Sequence, residues 1–182
     1  MNGYRKRRAG PRLRPNIPLA ETAMTQRIDY NATSPELVKK FVEFSLLTHK
    51  GAIETTIIDL INIRASQING CAFCVDMHSK EATIHGERPL RLYHIAVWRE
   101  STLFSPRERA ALEWTEALTT LPPHGVPQAT FNAVREELSE KELSDLTFCI
   151  MAINAWNRVS VGFAAVPGSM DKAYGLTRAN LS

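Results

Sequence analysis

Cysteine is scarce in this chain: three among 182 residues, two of them in a single Cys-x-x-Cys. A small secreted domain stapled by disulfides carries more, so a cross-linked framework is excluded and the cytosol is the expected compartment. Long apolar runs are also lacking. No stretch approaches the roughly 18 residues of a membrane span, and the basic N-terminus is not followed by the apolar core of a secretory signal; neither a membrane partner nor a secretory segment is expected. Strict apolar/polar alternation, the mark of a half-buried strand, is missing throughout, as is any convincing internal repeat. What remains is helical periodicity, and the chain reads as all-α.

The 22 basic residues outnumber the 19 acidic ones, but the excess is local. Arg5, Lys6, Arg7, Arg8, Arg12 and Arg14 face one acid, Glu21, in the first 23 residues. A nucleic-acid surface on the folded body is therefore not indicated. With Pro11, Pro15 and Pro18 among the arginines, residues 1–25 are expected to form a basic, proline-containing disordered tail, or an extension ahead of a natural start at Met24. A transit peptide or a nucleic-acid-touching arm is the alternative there. Residues 26–182, with 44% of the whole sequence hydrophobic, suffice for one domain with one sizeable core.

About seven helices are expected. Ser34-Pro35-Glu36 combines a cap, a proline at the first helical position and an acid in the first turn, opening a helix that ends near Lys50-Gly51. The next, about 53–69, carries Ile57, Ile58, Leu60, Ile61, Ile63 and Ile68 around most of its circumference and should be central and buried. A helix from about Cys71 to His85 stops at Gly86, and Pro89 opens a short one. Ser105-Pro106-Arg107-Glu108 is a capping box with proline at the first position, the most secure boundary in the chain, and its helix runs to Pro122-Pro123. A helix over about 127–137 follows. Ser139-x-x-Glu142 is a second capping box, opening a long apolar helix that reaches toward Pro167.

The chain is organised around Cys71-Ala-Phe-Cys74-Val-Asp-Met-His78. On a helix these two thiols and the imidazole fall within roughly 60° of one another. Cys71 and Cys74 can close a short disulfide, and His78, one turn beyond Cys74, serves that thiol rather than Cys71. A pair of buried structural thiols is one reading; zinc held by Cys71, Cys74 and His78 is another, weakened by the lack of a second Cys or His pair nearby. Redox chemistry is favoured, because a helix N-terminus just after Gly70 stabilises a thiolate. Cys149 reads as a small core residue. His49, His85 and His94 lack partner spacing and read as surface or loop residues. Asn154, Trp156, Asn157 and Arg158 suggest a buried polar network or a subunit contact.

The run from Ser66 to His78, with Trp98-Arg99-Glu100-Ser101, Glu108-Arg109-Ala110-Ala111-Leu112 and Asn154-Ala155-Trp156-Asn157-Arg158, closely resembles the alkylhydroperoxidase D-like (AhpD-like) family of the carboxymuconolactone decarboxylase superfamily. The resemblance covers about Met24 to the end. It implies an all-α fold with the Cys-x-x-Cys at the N-terminal end of a helix, a homo-oligomer such as a trimer or hexamer, and thiol-dependent peroxidase or disulfide reductase activity. The family pattern places a glutamate twelve positions before the first cysteine, in a proton relay with the histidine and the thiols. Here that position is Asp59, one methylene shorter, and Glu54 lies too early. Phe73 stands where the best-studied branch has a histidine.

On this resemblance Cys74 attacks the peroxide, His78 is its base, Asp59 orients or relays through that imidazole, and Cys71 resolves the sulfenic acid to a Cys71–Cys74 disulfide. An unidentified external dithiol would reduce it, with no metal, haem or flavin. Rival expectations are a decarboxylase of the superfamily's namesake type and a non-catalytic redox-sensing oligomer.

Overall fold

The computed structural model describes residues 25–181. The basic tail expected over residues 1–25 lies, apart from Thr25, outside the described residues. Among those residues there are helices and no strands. The seven expected helices are α2 (Pro35–Thr48), α3 (Thr55–Ile68), α4 (Ala72–Ile84), α5 (Pro89–His94), α6 (Pro106–Thr120), α7 (Gln128–Glu137) and α8 (Glu140–Gly162). Single-turn helices α1 (Tyr30–Thr33) and α9 (Asp171–Tyr174) flank them, with 3-10 turns at Ile95–Glu100 and Leu176–Ala179. Four-residue helices carry no readable period. The first is held by Asp29, whose carboxylate accepts from the backbone N–H groups of Asn31 and Ala32.

Both capping boxes form. Ser105 and Ser139 accept from the backbone N–H of Glu108 and Glu142, and each glutamate reaches back to the cap N–H. The long helix α8 stops before the expected Pro167. Phe163 caps it, Ala164 turns left-handed at φ 54°, and the Ala165 N–H returns to Ser160 O, so a local backbone lock ends the helix ahead of the proline.

Helix α3 is the central element, packed against α4, α6 and α8. One of its faces sends Ile57, Ile58 and Ile61 into a cluster with Trp114 of α6, Val134 of α7 and Leu146 of α8. Leu60 and Ile63 enter a second cluster with Ala82 of α4, Trp98 and Leu112. Ile61 is fully buried, so truncation to alanine there would cost about 2–5 kcal/mol. Two apolar faces leave α3 one register, and that register sets where Asp59, Asn62 and Ser66 point.

Candidate thiol site on α4

Gly70 puts Cys71 in place. The end of α3 at Asn69 is followed by Gly70 at φ +66°, with Gly70 N–H on Gln67 O and Cys71 N–H on Ser66 O. Such a turn favours glycine, since a side chain resists left-handed backbone. The chain then restarts at once: Cys71 is the N-cap of α4, and its Sγ accepts from Cys74 N–H at 3.3 Å. Cys71 and Cys74 are joined as a disulfide with Cα atoms 5.3 Å apart, and both are buried. Cys74 lies in the first helical turn, where unpaired N–H groups and the helix dipole favour a thiolate once the bond is reduced.

Beyond the thiols, α4 carries a stripe at alternating spacings of four and three: Cys74, His78, Glu81, His85. His78 Nδ1 and Glu81 Oε2 are 2.6 Å apart, and the imidazole is nearly buried. Asp59, reaching across from α3, is bound at 2.8 Å not to His78 but to Nδ1 of His85, the C-cap of α4. Asp59, expected to orient or relay through the His78 imidazole, thus has its hydrogen bond on His85 instead. The packing of α3 on α4 sets Asp59 against the far end of the helix, while a carboxylate one turn along α4 already occupies the His78 nitrogen. His85, expected to lack a partner, has this one. The i+3 spacing of His78 and Glu81 was the available signal for their pairing; nothing local announced the pairing of Asp59 with His85.

The electrostatics follow. Burial pushes the Asp59 carboxyl above its ordinary value, against the hydrogen bond and charge of His85. Burial also acts upward on Glu81, but the hydrogen bond from His78 and the charges of His78, His49 and His85 outweigh it and hold that carboxyl low. His49, the C-cap of α2, is lowered by burial and by the neighbouring His78 and His85, against the pull of Glu81. His49 is exposed in the turn after α2, as expected, and from there it also lines the site.

These groups line a cavity of about 440 Å³ that includes Cys74, His78, Glu81 and His49 and is walled by apolar side chains such as Val42, Met77 and Trp156. Cys71 is not part of the lining, so the two thiols are inequivalent by position. Cys149 is free and buried; it also touches the cavity, with its thiol raised chiefly by burial and its Sγ 3.6 Å from Thr48 O. Among the described residues no group of three or more His, Cys, Asp or Glu side chains is arranged to hold a metal ion.

A polar network buttresses the Gly70 turn. Asn69 Nδ2 donates to Oδ1 of both Asn154 and Asn157 at 2.9 Å, and Asn157 Nδ2 donates to Ser66 Oγ. The expected buried network is therefore present, fixing the α3–α4 corner to α8. Trp156 donates to Ser45 Oγ and lies against Phe41, and Arg158 binds back to Asn154.

The carboxymuconolactone decarboxylase family model matches residues 35–117, the segment that contains the thiol site. The uncharacterized protein YdfG of Bacillus subtilis is 41% identical over 138 residues, which cover 76% of this chain and 94% of that one. The chain belongs to the carboxymuconolactone decarboxylase family. Its fold is AhpD-like. A structure from Agrobacterium tumefaciens, described as a protein of unknown function and a candidate antioxidant defence protein AhpD, superposes with a TM-score of 0.76 at 40% identity, covering 79% of this chain and 98% of that chain. An AhpD-core, peroxidase-related protein from Ralstonia eutropha shares the fold at a TM-score of 0.68 and 22% identity, over 76% of this chain and 74% of that chain. This carboxymuconolactone decarboxylase family member thus carries the Cys-x-x-Cys on an AhpD-like helix start.

Proposed function

We propose that the protein is a thiol-dependent peroxidase whose reacting group is Cys74 and whose oxidised state is the Cys71–Cys74 disulfide. The observation that carries this reading is the joined pair at a helix N-terminus, with only Cys74 on the wall of a cavity that also holds His78. The Cys74 thiolate attacks the O–O bond of a hydroperoxide, forming S–O and releasing the alkoxide, which takes a proton and leaves as alcohol. Cys71 then attacks the sulfenic acid sulfur, forming the disulfide and releasing water. An external dithiol returns both thiols; no bound metal or organic cofactor enters these steps. The largely apolar cavity walls suit a hydroperoxide with an apolar organic body.

We also propose a homo-oligomer. Leu46 and Leu47 of α2 and Phe148 and Met151 of α8 are exposed on helices that pack together. Light scattering tests this, and a clean monomer at micromolar concentration refutes it.

The activity is tested by steady-state turnover of cumene hydroperoxide and hydrogen peroxide with dithiothreitol or dihydrolipoamide. Cys74→Ser should consume neither peroxide. Cys71→Ser, reduced and then freed of dithiol, should react once per chain and stop at the Cys74 sulfenic acid. Failure of the wild-type protein to consume either peroxide with either dithiol overturns the reading.

A further inference from the structure

We infer that Glu81 is the positioning residue of the thiol site, fixing the proton of His78 on Nδ1 from within α4 itself. The inference rests on the reading of Cys74 and His78 as the reacting pair and adds the group that governs the imidazole. Its basis is geometric. Glu81 Oε2 lies 2.6 Å from His78 Nδ1, whereas the α3 carboxylate at Asp59 binds His85. When Nδ1–H donates to Glu81, a neutral ring has Nε2 free to accept a proton.

In the reduced enzyme the Cys74 S–H proton passes to Nε2, giving a thiolate and an imidazolium whose charge is countered by Glu81. After the thiolate has cleaved the O–O bond, the imidazolium returns that proton to the alkoxide. The ring is then neutral again and Glu81 has remained ionised throughout.

The other charged groups near the ring do not replace this carboxylate. His49 approaches from the end of α2 and His85 from the end of α4, and neither can supply the negative charge that counters an imidazolium. Asp59 acts on His78 through space but is turned to His85. Separation of the two pairs, His78 with Glu81 and His85 with Asp59, is the feature a test must resolve.

Nitrogen NMR of the histidine rings in the reduced protein reads which ring nitrogen carries the proton, without any peroxide. Glu81→Gln should shift the His78 ring signals away from the Nδ1-protonated form, since the carboxylate that accepts from Nδ1 is lost. Glu81→Asp should recover part of that shift. Asp59→Asn should move His85 instead, and His78 by much less. Alkylation of Cys74 near neutral pH should slow about tenfold in Glu81→Gln, because a weaker imidazolium stabilises less thiolate. Glu81 is one-third exposed, so the variants are expected to fold, and thermal melting checks this.

An Asp59→Asn shift at His78 as large as that of Glu81→Gln, or a Glu81→Gln protein with both readouts unchanged, overturns the assignment. A wild-type protein that shows these shifts yet turns over no peroxide sinks the proposed activity and leaves the role of Glu81 standing.

Discussion

Asp59 and His85 meet across the α3–α4 contact at 2.8 Å, the aspartate side chain 7% exposed and the imidazole 44% exposed. A buried carboxylate paired with a half-open base gains little from the pairing, because solvent screens the outer partner, while it bears its own desolvation in full. The direction of the Asp59 shift, upward with burial as its largest cause, agrees with that balance.

The stability of the wild type relative to Asp59→Asn should therefore depend on pH in a defined sense. A raised carboxyl binds its proton more tightly in the folded than in the unfolded chain. Its contribution is fully present below the unfolded value of about 3.9 and is lost as pH rises through the higher folded value. Thermal melts from about pH 4 to about pH 7 should show the wild type losing ground to Asp59→Asn as pH climbs. A gap that is constant, or that closes with rising pH, contradicts the burial argument.

The three thiols should separate chemically. In the reduced native protein, iodoacetamide should modify Cys74 faster than Cys149, whose thiol is raised by burial and held on Thr48 O. Mild oxidation should remove two titratable thiols and leave Cys149 reduced, with mass spectrometry joining Cys71 to Cys74. A Cys149 crosslink would contradict the pairing.

Asn157 is 1% exposed and bridges Asn69 to Ser66. Asn157→Ala should destabilise the protein by about 2 kcal/mol in chemical denaturation, as buried polar groups lose partners. Because the same bridge holds the Gly70 turn, hydrogen exchange should quicken at residues 69–74. A neutral substitution would mean that water replaces the amide without loss.

Strong acid should weaken the start of α8. Glu142 closes the capping box and pairs with Arg107, whose hydrogen bond, with those from Ser139, holds the carboxyl at about 2. A lowered carboxyl stabilises above its unfolded value, and that contribution is lost as pH falls through the folded one. The wild-type advantage over Glu142→Gln should thus be complete above about pH 4.3 and disappear toward about pH 2. An advantage unchanged across this window would show that the Arg107 pairing contributes nothing.

The sequence by itself determined the features whose hydrogen bonds close within a few residues. Ser105 with Glu108 and Ser139 with Glu142 start helices in any surroundings, and the redirected chain at Gly70 needs only a residue tolerant of positive φ. The order of the seven longer helices, the burial of α3 and the placing of Cys71 and Cys74 at a helix start were legible for that reason. Tertiary structure alone decided the partner of Asp59, 26 positions from His85, because that depends on how far along α4 the isoleucine faces of α3 come to rest. It likewise brought His49 from the end of α2 beside Glu81 and put Cys74, not Cys71, on the cavity wall. Spacing within a helix fixes which side chains share a face; only the packing register between helices fixes which faces meet.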